Sequence, residues 1–423
     1  MARTSYLRRP LTAVLIAAAL AASVLMAAVM LASPAHAATL TVTNNNDSGP
    51  NSLRQAMLDA NASGVANTID FAPSLVGKAG QIKLDSQLPV IIAAGGGLTI
   101  DGRGAGITID QLAEARVFKV DNNATLTLDS LQVQDGYASG PDGYGGGIYN
   151  YGGYLTVRNS TIAYNKADLG GGGIYNTHWG WIEVSNTTIS RNSAGRGGGG
   201  IFNDFSGTFY AWNTTIYENS VYNDGVPGST QGGGGILLGV AAYAKLSNTI
   251  VANNQVPSQE GLTFPNCRGE PAEQGYNLDS GTSCGFSPSP DPRYGSLSNT
   301  DPKLGFLTKR NGGPTETLAL EPDSPAINRG SNSSALEGRR GPALQFDQRG
   351  QGFPRIVGGS YRRGEFVPAV DIGAFEFQGL GGGGSGSPPT GAPEDKQACK
   401  KGGFREFGFK NQGQCIKAVN HAG

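Results

Sequence analysis

Asp110, Asp129, Asp135 and Asp142, with Arg103 and Arg158, are the residues of this chain best suited to acid–base or cation chemistry on a polymer. A lyase needs a base, often Arg or Lys, and carboxylates that hold calcium against an acidic sugar. A hydrolase needs two carboxyl groups facing one bond. The six fall at no recognisable spacing, and the chain contains neither an Asp-Asp pair nor Gly-His-Gly. His178 and His421 are the histidines beyond residue 37, too few for a histidine metal cluster or an easy Ser-His-Asp arrangement. His178 lies in "NTHWGW", read as an exposed turn between strands.

Binding chemistry is better represented. Trp179, Trp181, Tyr151, Tyr175 and Trp212 fall within a few tens of residues, and flat rings on a rigid face suit the apolar faces of sugars. The competing reading is core or corner filling, and for Trp181 the two are evenly matched. These five are the candidate ligand-binding residues; no catalytic residue, cofactor or metal site is assigned. "DGYASGPDGYGG" suggests a calcium-binding Gly-Asp repeat, but it occurs once and lacks a nine-residue period.

Cys267 with Cys284, and Cys399 with Cys415, form two locally spaced pairs, read as two disulfides in an oxidising compartment. A four-cysteine zinc site is the rival, without the close Cys-x-x-Cys spacing such sites use. Export is also read at the start. Arg3, Arg8 and Arg9 precede an apolar run from Leu11 to Ala32, then Ala35-His36-Ala37, the order of a signal peptide cleaved after Ala37. An uncleaved membrane anchor is the alternative. With 32 basic and 33 acidic residues, the charge gives no reason to expect nucleic acid or an anionic membrane as partner.

The elements that must position these residues are written in a repeat. Glycine reaches 66 of 423 residues, in blocks between short alternating strands. Ile148, Ile174, Ile201 and Ile236 follow such blocks, and Ile162, Ile189, Ile216 and Ile250 come later in each copy. Asn165, Asn192, Asn219 and Asn253 keep the same beat. A period near 27 without helical pattern predicts a solenoid of strands, each isoleucine stacking on its equivalent and the asparagines forming a ladder. Leu155, Val157, Ile182 and Val184 should face the interior. Residues 218–231 insert into one coil, where a loop on a rigid scaffold could carry function. Earlier, "NSLRQAMLDAN" reads as an amphipathic helix capped by Ser52, fit to cover the open end of the core.

The chain resembles bacterial exported right-handed parallel β-helix repeat proteins. The phrases that carry this are "TVTNNNDSGPNSLRQAMLDANA", "TIDFAP" and the "GGGIYN…LTVRNSTI…N" coils. "DPKLGFLTKRNGGPTETLALEPDSPAINRG" with "DQRG…R…VDIGAFEF" is similar to the choice-of-anchor Q segment that closes many of them. Where relatives carry a cysteine before Asp-Ile-Gly-Ala-Phe-Glu, this chain has Val370, so that covalent tie is not expected. The last residues, "CKKGGFREFGFKNQGQC", resemble a small module at the ends of exported bacterial proteins. Lys400, Lys401, Arg405, Lys410 and Lys417 with three phenylalanines suit attachment to an acidic or glycan polymer, or merely a solvated face around a tiny core.

The expected architecture is therefore an all-β, right-handed parallel β-helix with an N-terminal capping helix and a small disulfide-bonded C-terminal module. Its parts are a signal peptide (1–37), β-helix (38–285), closing β-rich segment (286–378), linker (379–394) and module (395–423). The expected function is surface-associated binding or adhesion without catalysis, by a secreted or cell-surface monomer whose partner is an extracellular or cell-wall glycan. A polysaccharide lyase or hydrolase is the alternative, and a structural envelope spacer the third.

Overall fold

In "GYLTV" and "GWIEV" every second residue is apolar, and a strand places alternate side chains on opposite faces. Leu155, Val157, Ile182 and Val184 accordingly point inward and are fully buried. The computed structural model describes residues 37–378 apart from 104, 223–231, 259–260, 264, 289–294, 340, 358 and 363–364. The signal segment through residue 36, the linker, the pair Cys399 and Cys415, and most of the 218–231 insertion lie outside the described residues.

The chain winds as a parallel β-solenoid. Among the described residues, three long parallel sheets of nine, eight and six strands run its length, with a four-stranded strip at one corner. The central coils contribute one strand to each sheet. A typical coil runs Ile174–Thr177, Trp181–Ser185, Thr188–Ser190 and Ser193–Ala194. Ile148, Ile174, Ile201 and Ile236 stack in register, as the repeat predicts.

The longer coil corrects two assignments by one residue. Ile216 pairs with Val251 rather than Ile250, and Asn219 bonds Asn254 rather than Asn253. The ladder runs Asn165–Asn192–Asn219–Asn254–Asn266, each Nδ2 donating to the next Oδ1 at 2.9 Å. Burial makes this pairing obligatory, because an amide without a partner inside the core costs about 1–3 kcal/mol. A second ladder, Asn150–Asn176–Asn203, lines the opposite corner. There Gly180 passes so close that a Cβ would lie 2.2 Å from Asn176 Oδ1, which explains the glycine at each such bend.

The helix Leu53–Ser63 forms where the sequence predicts it. Ser52 accepts from the Gln55 N–H at 3.2 Å, and Gly64 ends it with φ +70°. Leu53, Ala56, Met57 and Ala60 pack into the same apolar core as the coil interiors. Cys267 and Cys284 are disulfide-bonded, with Cα atoms 4.9 Å apart.

From Leu304 the chain turns back and covers the outer face of the eight-stranded sheet. Leu307, Leu318, Leu320, Ile372 and Phe375 pack on Ala163, Tyr217, Ile250 and Ala252, so Ile250 is drawn outward into this second core. The "DQRG…R…VDIGAFEF" residues hold the segment in place. Arg349 lies 3.9 Å from the Phe353 ring centre and 3.7 Å from that of Phe375. Gln348 bonds Thr161 and Thr188 of two coils. Fully buried Arg355 donates to Asn213 Oδ1 and to the carbonyls of Asp371 and Gly373. Val370 is fully buried as an apolar residue, and its carbonyl accepts from Gly330 N–H at 2.7 Å. The motif is packing and internal hydrogen bonding.

Candidate functional site

Strand alternation sends the other half of each coil outward, and on the nine-stranded sheet that half carries a cluster of aromatic rings among polar residues. One outward row reads Tyr154, Trp181, Thr208, Tyr243 on successive coils; the next reads Thr156, Glu183, Tyr210, Lys245. Tyr154 is 53% exposed and Tyr243 43%, with Trp181 and Tyr210 half-buried between them. Trp181 and Tyr210 have ring centres 5.1 Å apart. The Trp181 indole N–H donates to Glu183 Oε1 at 3.1 Å, which fixes the ring's orientation. Arg339, from the returning segment, lies 5.7 Å from the Trp181 ring centre and 5.5 Å from that of Tyr210. Glu337, Gly338, Arg339 and Gly341, with Tyr154, Trp181 and Glu183, line a cavity of about 460 Å³, open to the surface.

The five aromatic residues picked from sequence do not form one site. Trp181 stands on the platform. Trp212, two residues along the same strand and facing the same way, stacks parallel to Tyr210 at 5.4 Å but is only 5% exposed, so it flanks the platform without opening to solvent. Trp179 is 77% exposed on the adjoining corner, where φ is +59°. Tyr151 lies at the same corner, 4.4 Å from the ring of His178, which in turn neighbours Phe205 at 5.7 Å. His178 is exposed, as expected of a turn. Tyr175 belongs elsewhere: it is buried on the six-stranded sheet among Tyr144, Tyr149 and Phe202. Sequence reading passed over Tyr210 and Arg339. The outward register of Tyr210 beside Trp181 was available in the repeat, but the arrival of Arg339 from more than 150 residues away was not.

A larger groove, about 1270 Å³, runs between the eight-stranded sheet and the returning segment. Its sheet side carries amides and hydroxyls, including Gln81, Thr108, Gln132 and Gln134. Gln132 Nε2 donates to Gln134 Oε1 at 2.7 Å and to Glu316 Oε2 at 3.0 Å, and Gln81 Nε2 donates to Asp110 Oδ2 at 2.6 Å. Lys309 Nζ reaches Thr108 Oγ1 at 3.0 Å. Burial pushes the Glu316 carboxyl up and the Lys309 ammonium down, each opposed by the other's charge.

Asp110 and Asp135, which show no pattern in sequence, are brought into hydrogen-bonding contact beside this groove. Burial, then that contact, pushes Asp135 up to about 6. A pair this close cannot act as acid and nucleophile on one glycosidic bond, for which the carboxyls stand roughly 5 Å or more apart. Asp129 joins a separate group with Arg158 at 2.7 Å and Arg103 at 3.7 Å. Asp142 pairs with Arg116 at 3.0 Å. Among the described residues, no three His, Cys, Asp or Glu side chains converge as metal ligands.

Glu337 lines both cavities and lies 3.5 Å from Arg158, so platform and groove meet along one track. The chain matches no protein-family model and no curated protein.

Proposed function

We propose that this is an exported, surface-associated protein that binds an extracellular glycan without cleaving it. The observation that carries the reading is the outward row of Tyr154, Trp181 and Tyr243 with Tyr210 beside it. Half-exposed rings are held at coil spacing and run into a groove lined with amides and hydroxyls. Rings take apolar sugar faces and the polar groove takes hydroxyls, the usual division of labour in a small-molecule site. Export is supported by the signal-like first 37 residues and by the Cys267–Cys284 bond. On this reading the helix Leu53–Ser63 covers one end of the solenoid, and the returning segment is the choice-of-anchor Q-like closure. A second reading, polysaccharide cleavage by elimination, is favoured by the Asp129–Arg158–Arg103 group.

Incubating the purified mature chain with a panel of acidic and neutral polysaccharides tests both. Retention on a polymer without new reducing ends or unsaturated uronates is the expected result. Product formation would replace binding by catalysis, and the absence of both would leave a structural spacer.

A further inference from the structure

The charges around the platform are equal in number but are not paired with one another. Of its two carboxylates, Glu183 accepts from the Trp181 indole and Glu337 lies against Arg158. Its two cations are Arg339, exposed over Trp181 and Tyr210, and Lys245, next to Tyr210 in the same outward row. Neither forms an ion pair with a carboxylate among the described residues. Glu183 meets Arg339 only through its backbone N–H, at 3.5 Å, which fixes where the side chain starts. Gly338 permits that approach: its φ is +142°, and a Cβ would come 3.0 Å from Glu183 Oε2. An exposed arginine beside two aromatic rings, without a carboxylate partner among the described residues, keeps its forked N–H edge available for a planar oxyanion.

The geometry points to an acidic polysaccharide as the ligand of the platform, its pyranose ring on Trp181 and Tyr210 and its carboxylate held by Arg339 with Lys245 alongside. This inference rests on the glycan-binding reading. It adds that the bound sugar is a uronic acid, and that Arg339 sets this specificity. The sugar lies against the rings while the carboxylate takes the guanidinium edge, so the two contacts are made by different parts of one residue of the polymer. Lys245 supplies a second, less directional charge on the neighbouring coil.

The test uses polymers matched in backbone and differing in charge. The purified mature chain is assayed against polygalacturonate and its methyl ester, and against carboxymethyl- and hydroxyethyl-cellulose. The expected result is about tenfold tighter binding to the acidic member of at least one pair, weakening as salt rises. Arg339→Gln with Lys245→Gln should bring acidic and neutral members to within about twofold, with an unchanged thermal midpoint. Trp181→Ala should reduce binding to both members alike. Equal binding of charged and uncharged members, or a preference that survives the double substitution, overturns the inference while leaving glycan binding in place. No retention of any polymer overturns both.

Discussion

The Arg349 guanidinium and the Asp347 carboxylate, two positions apart in sequence, meet at 2.5 Å with both side chains out of solvent. Asp347 also accepts from the Glu376 N–H at 2.9 Å, and Arg349 donates to the Glu376 carbonyl at 2.7 Å. Removing one partner leaves a buried charge, which costs about 3–5 kcal/mol. Arg349→Ala is expected to loosen the returning segment first. Hydrogen exchange should show lost protection at Leu307, Leu318 and Leu320 while Ile174 and Ile201 keep theirs. Arg349→Lys should not restore it, since lysine lacks the planar fork that lies between Phe353 and Phe375.

Glu376 sits in the same network with its pKa pushed up, chiefly by burial and then by the charge of Asp371; burial likewise pushes Asp371 up. A carboxyl raised by folding binds its proton more tightly in the native state. Its contribution is fully present below the unfolded value, about 4.3 for Glu, and is lost as pH climbs toward the folded value. Stability should therefore fall as pH rises from about 4.3 toward about 9. Glu376→Gln, which imitates the protonated form, should flatten that slope in denaturant melts. An unchanged slope would mean that Glu376 is ionised when buried.

Asp135 carries the same sign at the groove. With its carboxyl pushed up to about 6, its contribution should decline as pH rises from about 4 through 6. Asp135→Asn should abolish a carbon-13 carboxyl titration near that value and leave the Asp129 group undisturbed. A midpoint near 4 in the native protein would show that neither burial nor Asp110 raises the Asp135 carboxyl.

The asparagine ladder makes the sharpest stability prediction. Asn192 Oδ1 accepts from Asn165 N–H and Nδ2, and its own Nδ2 donates to Asn219 Oδ1. Asn192→Ala strands groups on both neighbouring coils and should cost about 3 kcal/mol or more, at about 1–3 kcal/mol for each. Asn192→Asp should be nearly as damaging, because a carboxylate has nothing to donate to Asn219. A loss under 1 kcal/mol (about the cost of one ordinary hydrogen bond) would show that the ladder is dispensable.

The interior was the legible part of this chain. Ile148, Ile174, Ile201 and Ile236 could be stacked from spacing alone, because residues facing one core repeat with the coil. Where a coil gains length the reading slips: Ile250 and Asn253 look like the next repeats, yet Val251 and Asn254 occupy those positions. Hydrophobicity cannot separate Ile250 from Val251 when a returning segment supplies a second core outside the first. The site was less legible for the same reason. Trp212 reads like Trp181 in sequence, and only the packing around it hides one and leaves the other half-open. Asp110 and Asp135 meet because Gln134 lies in register with Asp110, and Asp135 follows at φ +59°, a bend that no local pattern announces.

The returning segment also decides how the molecule bears force. It lies along the flank of the solenoid, bonding four successive coils: Gln348 bonds Thr161 and Thr188, Ala374 N–H bonds Thr215 Oγ1, and Gly373 N–H bonds the Asn248 carbonyl. A pull from beyond Gln378 therefore reaches the coils through the Asp347–Arg349–Glu376 knot and the Arg355 contacts. It enters from the flank instead of running strand by strand from one end. Such a lock yields as a unit or holds, and the stacked coils behind it are shielded from being unwound one at a time.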